Sequence, residues 1–320
     1  MRGGHELRTM NSPTSIRIAN APCSWGVLEF DLPGKALGYE QVLDEIRDTG
    51  YVGTEFGDWG FMPTEPGALR RELDARKLAM VGAFVPVAFA DNNAHEAGAE
   101  FAVRTAKLLA AVEGNSPFIV LADDNGKNAN RTRKAGRITA ADNLTEAQWK
   151  TFVQGVEHVA RAVREQVGLR CVFHHHAAGF VETADEVSKL LGLTDPNLVG
   201  LCFDTGHLRF GGGDPLATLR QHRDRIWHVH FKDCSPAVHQ RSRAEGWDYF
   251  GSLKHGIFCE LGKGDVDFAA VIADLRRTNY SGWIVVEQDV LPGMGAPKEF
   301  AQRNRDYLAS IGLAHHAVKA

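Results

Sequence analysis

Residues 199–233 read VGLCFDTGHLRFGGGDPLATLRQHRDRIWHVHFKD. The stretch opens on a short apolar run, 199–204, that ends in the carboxylate of Asp204 and a turn. Asp214-Pro215 follows, a capping side chain just before a proline tolerated in the first turn of a helix. A second apolar, β-branched run begins at Ile226 and ends in His228-Val229-His230-Phe231-Lys232-Asp233. A strand, a helix-length segment and a further strand make a βαβ unit, and such units imply a parallel sheet.

The same alternation extends in both directions. Eight strand-like runs fall at 16–23, 52–57, 79–86, 117–123, 169–176, 199–204, 226–233 and 282–289. Amphipathic segments lie between them, among them Tyr39 to Thr49, Gly67 to Lys77, Ala94 to Val112, Glu146 to Val167 and Phe268 to Thr278. Thr64-Glu65-Pro66 repeats the cap-before-proline start. Eight such units over about 300 residues suit a closed (β/α)8 TIM barrel better than a doubly wound sheet. No GxGxxG follows the first strand, and the GGG at 211–213 lacks the spacing, which removes the usual dinucleotide fingerprint. The expected organisation is a flexible arm at 1–15, one barrel domain at 16–312 and a tail at 313–320.

Composition narrows the function. The 320 residues are 44% hydrophobic and 24% charged, with a formal charge of −4. A basic bias that would suit nucleic acid is missing, and no run of apolar residues is long enough to span a membrane. The first fourteen residues carry no signal-peptide core. Five scattered cysteines without a CxxC pair argue against a disulfide framework and a thiolate zinc site, and a reducing cytoplasm is expected. Two long connections, 124–144 and 234–264, follow strand C-termini, on the face where such barrels do chemistry. The second, with Trp247, Tyr249 and Phe250, reads as a lid; the first reads as a lid or as a solvated charge run.

Ligand-type side chains collect at those same ends: His174-His175-His176, Asp204 and His207, His228 and His230, and Glu287-Gln288-Asp289. Side chains two apart share a face of a strand, so His174 and His176 point together and His175 points away. His176 and His230 are expected at the barrel mouth, whereas His175 and His228 read as structural. Asp204, His230 and Glu287 would form a mixed oxygen and nitrogen site that suits Mn²⁺, Co²⁺, Mg²⁺ or Zn²⁺, the carboxylates leaning toward Mn²⁺. Asp233 and Asp289 read equally as carboxylates that orient ligands and as caps. Lys232 is expected to turn away from His230, which argues against a direct role. His95, His158 and His222 are expected on surfaces.

These segments resemble the xylose-isomerase-like barrels, a group of sugar isomerases, epimerases and dehydratases. The resemblance is carried by NAPCSWGV (20–27), GYVGTEFGDWG (50–60), FHHHAAGFVET (173–183), LCFDTGHLRFGGGDP (201–215), HVHFKD (228–233), LGKGDVDF (261–268) and GWIVVEQD (282–289). Within the group the chain is most similar to the inosose (2-keto-myo-inositol) dehydratases of inositol catabolism. The resemblance implies metal ligation by Asp204, His230 and Glu287, and substrate contact by His207. Its usual strand-five Glu is missing; His174 stands there, so the fourth ligand is His174, His176, Glu182 or water.

The resemblance further implies a metal-dependent lyase acting on a small polyol or keto-sugar, with Mn²⁺ or Co²⁺ as the leading metals. The base would be Glu287, His176 or His207; histidine is favoured because its pKa already lies near neutrality. Trp25 and Glu55 would shape the pocket and bind hydroxyls. An isomerase or epimerase, an eliminase acting on a 3-keto-glycoside whose aglycone packs on Trp247 and Tyr249, and a non-catalytic sugar-binding barrel are the alternatives. Barrels of this type often associate, which leaves a homo-oligomer open.

Overall fold

The computed structural model of the protein describes residues 16–28, 30, 37–114 and 116–314. The expected arm at 1–15 and the tail residues 315–320 lie outside the described residues. Leu313 is buried, and its carbonyl accepts a 2.8 Å hydrogen bond from Arg305, so the chain stays fastened to the barrel beyond residue 312.

Among the described residues there are ten strands, β1 (Arg17–Asn20), β2 (Gly53–Glu55), β3 (Ala79–Pro86), β4 (Phe118–Ala122), β5 (Arg170–His174), β6 (Val199–Asp204), β7 (Ile226–Phe231), β8 (Asp233–Cys234), β9 (Phe258–Cys259) and β10 (Trp283–Val286). Eight of them close into a barrel in the ring order β1-β10-β7-β6-β5-β4-β3-β2, each pair parallel. The remaining pair, β8 and β9, is a small antiparallel sheet. Helices follow the strands as the periodicity predicts: Glu146–Val167 runs over the expected residues, and the others differ by a residue at their ends. Glu65 and Asp214 accept from the first free backbone N–H groups of their helices, as the cap-before-proline pattern predicts.

Alternation along the strands builds two cores. On β6, Val199, Leu201 and Phe203 face outward and pack with Val156, Val159 and Leu190 of the helical layer. Cys202 faces inward with Phe118, Val120, Val172 and Trp227. Trp283 fills the interior beside Ala19, Val81 and Val285. The two tryptophans need room. A Cβ on Gly53 would come 2.9 Å from the Trp283 ring, and one on Gly200 would come 2.3 Å from Trp227. The interior is therefore packed at its floor and polar at its upper rim, where Asp204 ends β6.

The two long connections are ordered covers. Residues 124–144 contain the helix Ala129–Lys134, and Arg131, far from being part of a solvated charge run, is fully buried. Its guanidinium pairs with both oxygens of Glu186 at 2.8 and 2.9 Å and donates to the Gly179 carbonyl. Residues 234–264 contain the helices Pro236–Glu245 and Tyr249–Lys254. Arg137 ties the covers together by donating to the Ser242 and Trp247 carbonyls. His95 corrects a surface expectation: it is buried against Gly155, with Nε2 2.9 Å from the Phe89 carbonyl oxygen. Among the described residues no helix is long and apolar enough to cross a membrane, and all five cysteines are free.

Candidate metal and substrate site

Four buried side chains from four neighbouring barrel strands meet at the mouth. One ligand-type atom from each of His174, Asp204, His230 and Glu287 lies within 4.8 Å of the others. His174 Nε2 is 3.5 Å from Asp204 Oδ2, and His230 Nδ1 is 4.0 Å from that oxygen and 3.2 Å from Glu287 Oε1. His174 Nε2, Asp204 Oδ2 and His230 Nδ1 make no hydrogen bond although they are buried. Buried polar atoms without partners are costly unless something absent from the protein chain satisfies them. Two imidazole nitrogens and two carboxylate oxygens are the donors that a divalent first-row cation accepts, so the residues present fit such an ion.

Each donor is held from behind. Asp204 divides its oxygens: Oδ1 accepts from the His207 backbone N–H at 2.7 Å, capping the helix Thr205–Phe210, while Oδ2 stays free. Glu55 Oε1 lies 3.0 Å from His230 Nε2 and 2.8 Å from His228 Nε2. A carboxylate there fixes the proton on Nε2 and leaves the Nδ1 lone pair facing the cluster. Burial alone would raise the Glu55 pKa, but His230 and His228 hold it below the ordinary carboxylate value. Burial likewise opposes ionised Glu287, yet His230 and Lys232 keep it well below.

The cavity above this cluster is lined by His174, His230 and Glu287 on its floor, by His176, His207 and Tyr249 on one side and by Glu55, Asp58 and Phe84 on another. His176 and His207 stand with ring centroids 3.8 Å apart. Burial, joined by positive neighbours, holds both well below the usual histidine pKa. His176 Nδ1 lies 2.5 Å from the Ala177 carbonyl oxygen, which makes Nδ1 the protonated nitrogen and Nε2 the lone-pair donor, 3.4 Å from the Tyr249 hydroxyl. His207 Nε2 faces Lys232 Nζ at 3.2 Å.

Several expectations are corrected here. Lys232 does not turn away. Two positions after His230, it lies on that residue's face, as a period of two requires, and its ammonium reaches Glu287 at 3.2 Å and Asp289 at 3.0 Å inside the cavity wall. Burial would lower its pKa, but Asp289, Glu287 and Asp204 hold it well above the ordinary value. Trp25 does not line the cavity; it is a buried aromatic whose Nε1 donates to Glu45. Glu182 stands apart from the four-residue cluster, with its carboxylate accepting from the Gly136 and Ala178 backbone N–H groups. Asp233 is a backbone staple that accepts from Cys234, Gly262, Gly264 and Val266, which explains the glycines of LGKGDVDF. Trp247 lies outside the cavity wall, stacked on His255; Tyr249 is the lid aromatic that reaches inside. His175 accepts from the Asp204 backbone N–H, and His228 Nε2 lies 2.8 Å from Glu55 Oε1.

The chain belongs to the xylose isomerase-like TIM barrel family, whose pattern matches residues 43–311. It is similar to the inosose dehydratase of Geobacillus kaustophilus, 33% identical over 307 residues that cover 95% of this chain and 97% of that one. In fold it is similar to the probable 3-DHS dehydratase AsbF of Bacillus anthracis, with a TM-score of 0.67, 16% identity and coverage of 92% and 99%. A structure of IOLI protein with a binding zinc atom aligns with a TM-score of 0.67, 15% identity and coverage of 95% and 100%.

Proposed function

We propose that this protein removes water from a neutral cyclic keto-polyol such as 2-keto-myo-inositol, with a divalent cation at His174, Asp204, His230 and Glu287. That it is an enzyme of the carbon–oxygen lyase class follows from its relatives over nearly the whole chain. The observation that carries the finer reading is the set of unpartnered buried atoms in the four-residue cluster, directly beneath the His176–His207 pair. The zinc atom in the IOLI structure supports a cation in a barrel of this kind. Equal nitrogen and oxygen donors leave Mn²⁺ and Co²⁺ as the preferred choices.

A cation bound there would act as a Lewis acid toward the ketone and neighbouring hydroxyl of the substrate, favouring loss of the α-proton. His176 takes that proton. Its Nδ1–H is committed to the Ala177 carbonyl, its Nε2 faces the cavity beside the Tyr249 hydroxyl at 3.4 Å, and its low pKa keeps it neutral at working pH. The Lys232–His207 pair supplies the proton to the departing hydroxyl, since the ammonium lies 3.2 Å from Nε2. Glu287 is held as a carboxylate by His230 and Lys232 and serves as a ligand, not as the base. An elimination needs one base and one acid, which this arrangement offers.

Incubation with 2-keto-myo-inositol and Mn²⁺ or Co²⁺ tests the reading. A dione chromophore should appear; a product of unchanged mass would point to isomerisation instead. Replacing Asp204 with Ala should remove metal retention and turnover together. An Asp204→Ala protein that turns over fully in the presence of a chelator would overturn the metal role.

A further inference from the structure

We propose that Asp58 is a substrate-binding residue that accepts hydrogen bonds from ring hydroxyls and selects a neutral polyol over an anionic ring. The proposal deepens the dehydratase reading and rests on it only for the identity of the substrate. Four carboxylates line the cavity: Glu55, Asp58, Glu287 and Asp289. Glu55 has two imidazoles, Glu287 has His230 and Lys232, and Asp289 has Lys232. Asp58 has neither a cation nor a donor among the described residues. Burial raises its pKa and no neighbour offsets the rise. A partly desolvated carboxylate without a partner costs free energy, and a ligand that brings donors removes the cost.

Its position is built, not accidental. Asp58 follows β2, which stands opposite β6 in the barrel ring, so it faces the Asp204 side of the cluster across the mouth. Gly57 takes φ +72°, and its Cα packs so closely on Pro22 that a Cβ would lie 3.1 Å from that ring. The Phe61 N–H bonds the Asp58 carbonyl, and buried Phe56 and Met62 anchor the turn on either side. Arg104 lies over the ring of the next residue, Trp59, 4.3 Å from its centre, and is not among the residues that line the cavity. Lys232 is the one lysine or arginine among the described lining residues, and two carboxylates already hold it. Among the described residues, a carboxylated or phosphorylated ring thus finds no free cation on this wall and meets the charge of Asp58. Hydroxyls find an acceptor able to take two of them.

Calorimetry of the manganese-loaded protein with myo-inositol, which lacks the ketone, separates binding from chemistry. Asp58→Ala should weaken myo-inositol binding about tenfold or more, the usual worth of hydrogen bonds to a charged group. KM for 2-keto-myo-inositol should rise by the same factor, with kcat within about threefold of wild type. Bound manganese should be unchanged and the melting temperature not lowered, as expected when an unpartnered carboxylate rather than a packing residue is lost. The preference for myo-inositol over quinate, a ring polyol with a carboxylate, should shrink. Affinity within about twofold of wild type, a wild-type protein that prefers quinate, or one that binds no polyol overturns the proposal. A wild type that binds myo-inositol through Asp58 but releases no water from the keto form sinks the dehydratase reading alone.

Discussion

The tautomer of one histidine shows how much a single carboxylate can decide. His230 presents Nδ1 toward Glu287 and Asp204 because Glu55 holds Nε2. Glu55→Gln should lower metal affinity by about 10- to 100-fold, the range usual for groups that orient a ligand, while leaving the fold intact. Competition with a chelating dye reads the affinity; an unchanged value would show that His230 orients itself. Strand position made Asp204, His230 and Glu287 legible, because each sits near the end of a strand run, whereas His174 entered only through the family resemblance, as one of four choices for the fourth ligand. It could not reveal what Glu55 touches. Glu55 and His230 are 175 positions apart, and only closure of the barrel brings β2 across to β7. Lys232, by contrast, obeys the period of two: it continues the face of His228 and His230 into the cavity wall, against the expectation that it turns away.

At the scale of elements, the covers over the site are joined by buried charge. Glu182 links the connection after β4 to the turn after β5 through Gly136 and Ala178, and Arg131 with Glu186 lies alongside. Burial pushes the Glu182 pKa up to about 7, against the pull of Arg131 and the two backbone donors. A carboxyl whose folded pKa lies above its unfolded value stabilises the fold while protonated. That contribution is lost as pH rises from the ordinary carboxylate range through about 7. Urea unfolding should therefore show wild-type stability falling by about 2 kcal/mol between pH 5.5 and 8 from this group. Glu182→Gln should flatten that slope; an identical slope in the variant would assign the pH dependence elsewhere. The sequence reads these segments as long and charged, which does not distinguish a solvated run from a buried Arg131. The distinction depends on Glu186 and Gly179, which lie on a different connection.

For the whole molecule, barrel closure couples a packed floor to a polar mouth. Trp227 and Trp283 fill the floor, and Arg170 and Arg17 lie over their rings at 5.1 and 4.0 Å. Gly200→Ala would drive a methyl group into Trp227 and should cost about 1–3 kcal/mol, the typical penalty for overpacking. Because Gly200 lies four residues before Asp204 on the same strand, at the other end of the barrel, kcat/KM of the folded variant should stay near wild type. Chemical denaturation and steady-state assays check the two parts; unchanged stability would mean that the floor yields to the extra volume.

Local order alone determined the eight strand and helix alternations, the capping starts at Glu65 and Asp214 and the presence of four ligand-type residues at late strand ends. These depend on neighbours within a turn or two of chain, where propensity and periodicity act. Tertiary structure decided which of those residues face one another, that His174 rather than Glu182 joins the cluster, and that Lys232 and Asp58 line the cavity while Trp25 and Trp247 do not. Burial and hydrogen-bond satisfaction across strands far apart in sequence make those choices, and no window of sequence contains both partners.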